Sequence, residues 1–219
     1  MSKSAEVTEN SDFSKALECI EKGTSYEYTL RAPNPKNRET INLIVQEFLK
    51  QINLQHTYNL LCLCLEEIIS NSVKANIKRA YFILNNLDIT NHDDYEKGMK
   101  SFKEQGMANI KDADFINKVN SLGLYVKIIF KVEDGCLFIT ARNNSVISKE
   151  EIERINKKLK LCENKTPEDI FMNSIDQTEG AGLGIIMIKK ILSQVSSAKD
   201  CFEIKATDTE TITELKIIP

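Results

Sequence analysis

The sequence predicts an α+β fold, and three observations lead to that class. Three runs alternate apolar and polar residues as half-buried strands do, at residues 26–31, 202–207 and 211–218, and two more, at 125–132 and 136–142, are rich in β-forming residues. Between them lie stretches whose apolar residues recur at helical spacing. Two of the strand runs follow each other directly across Glu133-Asp134-Gly135, and an Asp-Gly pair between such runs is a strong hairpin signal, so antiparallel pairing is expected. With 42% of its 219 residues hydrophobic, the chain can close one substantial core, and one elaborated domain is expected rather than two.

The elements follow in order. Residues 1–24 form a polar N-terminal segment in which Phe13, Ala16, Leu17 and Ile20 mark a short amphipathic helix, with Gly23 as its cap. Such a helix docks either on the domain or on a partner. The main domain is expected over residues 25–219. Tyr26 to Arg31 is a strand, Pro33-Asn34-Pro35 breaks it, and Ile41, Leu43, Ile44, Phe48 and Leu49 define a helix. A second long helix runs from about Thr57 to Arg79, where Leu60, Leu61, Cys64, Ile68 and Val73 keep one side apolar with no Gly or Pro.

Residues 85–122 are polar, with Asn91, Asp93 and Asp94 as caps and helix formers from Tyr95 to Ala108, and read as a helical insertion. After the hairpin, Ser148 and Glu151 form a capping box that opens a helix to about Leu161. Cys162 to Glu179 holds Pro167 and has no clear period, so it reads as a loop or lid. A Gly-rich turn, a helix from Leu183 to Val195 and the last two strands complete the chain.

Composition excludes several function classes. The net charge of -3 arises from 29 basic and 32 acidic residues interspersed along the chain, so no basic field for nucleic acid is present. Met1 to Asp12 has no apolar core of signal-peptide length, and no run of about 18 apolar residues occurs. The expectation is a cytoplasmic protein with no membrane partner. The six cysteines (Cys19, Cys62, Cys64, Cys136, Cys162, Cys201) are scattered and read as buried reduced thiols. His56 and His92 read as surface residues.

Two constellations could carry chemistry. Glu67, Asn71 and Lys74 are four and three residues apart on the long helix, so they rise from one stripe of its surface. A carboxylate there can act as general base, an amide oxygen can join the shell of a Mg²⁺, and an ammonium can meet a phosphate. The same spacing also suits the solvated side of an amphipathic helix. The second constellation is Gly180-Ala181-Gly182-Leu183-Gly184, running into an apolar helix. Close glycines let backbone N–H groups approach a phosphate, and the helix start favours the same anion. A flexible turn before a buried helix is the alternative. The preceding segment, Asn173 to Glu179, is a polar loop rather than a strand, so the turn is no Rossmann fingerprint, and no P-loop Gly-Lys-Ser/Thr ending is present.

A helix bearing Glu-x-x-x-Asn-Ser-x-Lys-Ala, a hairpin ending in Asn143-Asn144-Ser145, a lid, and Gly-x-Gly-Leu-Gly opening a helix, in this order, resemble the Bergerat fold of histidine-kinase-like (GHKL) ATPases. The resemblance covers about Tyr26 to Pro219, interrupted by the insertion. Within that superfamily, Leu65 to Asn71 and the strand, Pro turn and helix ahead of it look most like anti-sigma-factor serine kinases. The resemblance implies a two-layer sandwich, a mixed and mostly antiparallel sheet covered on one face by helices. It implies ATP or ADP and Mg²⁺ as ligands, Glu67 as general base, Asn71 as Mg²⁺ ligand, and Gly180, Gly182, Leu183 and Gly184 over the phosphates.

One position departs from the pattern. The family places an Asp at the end of the second hairpin strand, against the adenine amino group, with glycines close behind. Here the strand ends Arg142-Asn143-Asn144-Ser145, an amide without the glycines. An Asn at position 143 can still pair with an adenine edge, without charge assistance. An ordinary turn at Asn143-Asn144 is the other reading.

The expected function is an ATP-binding signalling regulator that acts on a protein partner, as a serine kinase rather than a self-contained histidine kinase. The rival is a catalytically degenerate domain that serves as a protein-interaction module. Turnover, the partner and a homodimeric state are left open by the sequence.

Overall fold

The computed structural model describes residues 3–30, 35–102, 113–147, 149–161 and 183–219. Its elements are α1 (Lys3–Glu21), β1 (Tyr26–Leu30), α2 (Pro35–Gln51), a 3-10 turn (Gln55–Thr57) and α3 (Tyr58–Leu84). Then come α4 (His92–Ser101), α5 (Ala113–Ser121), β2 (Val126–Glu133), β3 (Cys136–Asn143), α6 (Lys149–Leu161), α7 (Leu183–Val195), β4 (Phe202–Ala206) and β5 (Thr211–Ile217).

The strands form one five-stranded sheet in the order β1-β2-β3-β5-β4, with every neighbouring pair antiparallel. Between Glu133 and Cys136 the β2–β3 hairpin turns through Asp134 and Gly135 at φ 51 and 73. Left-handed backbone at both central positions matches the right-handed twist of the flanking strands, which is why Asp-Gly occupies this turn.

One face of the sheet is covered. A rung such as Tyr28, Ile128, Ala141, Thr213 and Ile204 points into the core, and the next rung points out. Over the inner face lie Ile44, Val45, Phe48 and Leu49 of α2, Leu61, Cys64, Leu65 and Ile68 of α3, and Ile188 and Leu192 of α7. Phe48 stacks on Phe130 with ring centroids 5.3 Å apart. Helix α1 closes on the same core, with Ala16 fully buried and Phe13, Cys19 and Ile20 packed against it. The N-terminal helix therefore docks on the domain itself. The fold is the two-layer α+β sandwich predicted from the sequence, with the described strand pairs antiparallel throughout.

The outer face is laced with ion pairs. Lys127 meets Glu27 at 2.9 Å, Lys205 meets Glu214 at 2.6 Å, and Arg142 binds Glu210, which also accepts the Tyr125 hydroxyl at 3.0 Å. The Arg142 and Tyr125 hydrogen bonds hold the Glu210 carboxyl below its ordinary range.

The second half of α3 carries a satellite core. Ile77, Tyr81 and Phe82 pack with Phe102, Tyr95, Met99 and Phe115 from α4, α5 and the residues beside them. Asn91 caps α4 by accepting the Asp93 and Asp94 N–H groups at 3.0 and 3.1 Å. Cys62, Cys64 and Cys201 are buried free thiols, and burial pushes Cys64 up to about 12. His56 and His92 are exposed. Among the described residues no helix is long and apolar enough to cross a membrane.

Candidate functional site

Helix α3 spans 27 residues from Tyr58 to Leu84, and its first half sets the site. Apolar residues Leu61, Leu65 and Ile68 turn one side to the sheet, which leaves Glu67 and Asn71 half-buried at the edge facing α7. Asn71 Nδ2 donates to Glu67 Oε1 at 2.9 Å, one helical turn away. Because the carboxylate can only accept, the amide must turn its NH₂ toward it and its oxygen elsewhere. The neighbouring Glu66 is engaged differently, with Arg38 of α2 at 2.5 Å.

Gly184, the last glycine of the Gly-rich motif, arrives at this spot. A Cβ on Gly184 would lie 1.9 Å from Glu67 Oε1, 2.3 Å from Cδ and 2.7 Å from Cγ, so a side chain here would displace the Glu67 carboxylate from its present position. The first turn of α7 thus lies directly against the Glu67–Asn71 pair. Helix starts carry N–H groups without intrahelical partners and a partial positive charge, so an acceptor-rich face and an anion-attracting terminus meet here. Two motifs more than a hundred residues apart in the chain are brought into contact.

The other sequence-predicted residues are placed less uniformly. Lys74 is exposed on α3, one turn beyond Asn71. Leu183 opens α7, and Gly180 and Gly182 lie outside the described residues, as do the lid expected at residues 162–179 and the cap Ser148.

Asn143 is buried at the end of β3. It is 3% exposed, and its amide is hydrogen-bonded within the protein. Nδ2 donates to the Ser72 carbonyl at 3.1 Å, and Oδ1 accepts the Ser145 N–H at 3.2 Å. The physical reason is its register: Asn143 continues the inward-facing positions of β3 after Leu137, Ile139 and Ala141, and at the strand end that direction meets α3.

Three contributors escaped the sequence reading. Asn76 donates to the Tyr125 carbonyl at 3.0 Å, Ser145 Oγ donates to the Ala75 carbonyl at 3.4 Å, and Asn144 ties Tyr125 to Gly123 at 2.8 and 3.0 Å. The signal for Asn76 was present, since it interrupts the apolar stripe of Val73, Ile77 and Ala80. A polar residue on such a stripe must find a buried partner.

No family model matches the chain. It is similar to an uncharacterized protein of Treponema pallidum (strain Nichols), with 30% identity over 178 residues that cover 81% of this chain. The matched segment is 34% of that relative's length, so the chain spans about a third of it.

Proposed function

We propose that the chain is an ATP-binding signalling regulator of the histidine-kinase-like ATPase class. The observation that carries this reading is the contact of Gly184 with Glu67 beside Asn71. In this reading the Asn71 amide oxygen, the end turned away from Glu67, is a hard donor of the kind Mg²⁺ takes. Among the described residues no group of three or more His, Cys, Asp and Glu could hold a metal ion. A Mg²⁺ on Asn71 would take phosphate oxygens and water among its further ligands, the usual manner for this ion.

Each residue then has a role. Gly180, Gly182, Leu183 and Gly184 bring backbone N–H groups to the phosphates at the start of α7. Lys74 extends an ammonium from the exposed end of the stripe. Bound MgATP would supply the phosphoryl group, with ADP leaving as the bond to the γ-phosphate breaks, and Glu67 would accept the proton of the attacking hydroxyl or water. A protein serine kinase of the anti-sigma-factor kind, working in the cytoplasm on a partner protein, is the activity this arrangement suits.

The internal hydrogen bonds of Asn143 leave it fewer groups to offer an adenine edge, which favours a second reading, in which the pocket is degenerate and the domain works as an interaction module. Equilibrium titration of the purified protein with ATP, with and without Mg²⁺, tests the proposal. Mg²⁺-dependent binding supports it, and absence of binding at millimolar nucleotide sinks it. Phosphate release or transfer, measured on the same sample, separates the two readings.

A further inference from the structure

The structure assigns Asn143 to the positioning of Asn71, an inference that rests on the nucleotide reading above. Three side chains stitch the middle of α3 to the ends of β2 and β3. Asn143 reaches the Ser72 carbonyl, Ser145 the Ala75 carbonyl, and Asn76 the Tyr125 carbonyl, at 3.1, 3.4 and 3.0 Å. Carbonyls in the middle of a helix already accept the bond from four residues on, so Ser72 and Ala75 do not need these donors to be helical. What the additional bonds specify is where α3 sits along the sheet and which way it is rotated.

Ser72 directly follows Asn71. Each residue of a helix is turned by about 100° from the last, so fixing the Ser72 carbonyl fixes the direction in which Asn71 and, one turn back, Glu67 emerge. The apolar contacts of α3 are non-directional, whereas a hydrogen bond has a preferred direction. The Asn143 amide supplies the direction, and the Ser145 N–H that it accepts holds the amide in place.

The seam also selects the residue type. Facing Ser72 the side chain must donate, and facing the Ser145 N–H it must accept. An amide does both and a carboxylate only accepts. An aspartate would set a charge against the Ser72 carbonyl in a buried place. The amide that departs from the resembled family's pattern is the group this seam requires.

The test compares Asn143→Asp and Asn143→Ala with Gly98→Ala, a packing change in the satellite core. Thermal unfolding and the side-chain amide resonance of Asn71 in ¹⁵N-labelled full-length protein are read for each, together with ATP and GTP affinities in Mg²⁺. Both position-143 variants should lose about 5 °C or more in Tm, Asn143→Asp the most. Both should displace the Asn71 resonance, which Gly98→Ala leaves in place. MgATP should weaken severalfold with the ATP-to-GTP ratio unchanged. An unmoved Asn71 resonance in either folded variant overturns the positioning role. So does Asn143→Asp with retained Tm, tighter ATP and an altered base preference, the signature of a base contact. If the unsubstituted protein binds no nucleotide, the functional reading fails, while Tm and the Asn71 resonance still decide whether Asn143 sets the helix.

Discussion

The two halves of α3 use the same device for different ends. In the first half, Gly184 lets α7 come within reach of the Glu67 carboxylate; in the second, Gly98 lets α4 come down on the Phe82 ring, where a Cβ would lie 2.5 Å from Cζ. Both glycines remove a side chain from a helix contact. Only the first contact places an acceptor and an amide beside a helix start. Close approach by itself is therefore a packing feature, and it acquires chemical meaning from the polarity of what it approaches.

That contrast predicts separable effects. The largest belongs to the satellite core: Phe82→Ala should cost about 3–5 kcal/mol, because a 1%-exposed aromatic leaves a cavity that α4 cannot fill. Chemical denaturation would show it as a lower midpoint. Nucleotide affinity of the folded fraction should hold, and its loss would mean that the two halves of α3 are coupled.

Gly98→Ala should cost less, about 1–2 kcal/mol. The added methyl overlaps a buried ring, at about 1–3 kcal/mol, and better helix propensity returns up to about 1 kcal/mol. A stabilised variant in the same melt would show that Phe82 can move aside and that the close contact is incidental.

Gly184→Ala should change stability least, since the overlapping atoms are the far end of a half-buried glutamate that can swing outward. It should nevertheless break the arrangement of Glu67 and Asn71 and weaken MgATP by tenfold or more, while adenosine, which has no phosphates, is little affected. Equal weakening of both ligands, or of neither, would reduce Gly184 to the same packing role as Gly98.

The fold was largely legible because its strongest signals are local. Alternation and β-rich composition located the strands within one or two residues, and Asp134-Gly135 marked the hairpin through a backbone demand. The start of α1 was not legible: its periodic apolar residues begin at Phe13, and the helix extends back to Lys3 through a polar run that carries no such pattern. Nor was the end of α3, which continues five residues past Arg79 because the insertion buries Tyr81 and Phe82 from outside the main core.

For the site, helical spacing placed Glu67, Asn71 and Lys74 on one stripe, and motif order paired that stripe with the Gly-rich turn. The distance between Gly184 and Glu67 is tertiary and had no signature in either motif. The surroundings of Asn143 were not legible for a related reason. Residue type and strand position marked it as polar and inward, yet whether an inward amide meets a ligand or a neighbouring helix depends on how α3 lies across the strand end.

Under the proposed function, the Glu67–Asn71 pair at the start of α7 is a Mg²⁺-nucleotide site. The most direct test is the Mg²⁺ dependence of ATP affinity in Asn71→Ala, compared by calorimetric titration with the unsubstituted protein. The prediction is a variant that stays folded, since Asn71 is half-buried and bonded only to its own helix among the described residues, and whose ATP affinity no longer responds to Mg²⁺. A folded variant that keeps the full Mg²⁺ response would contradict it.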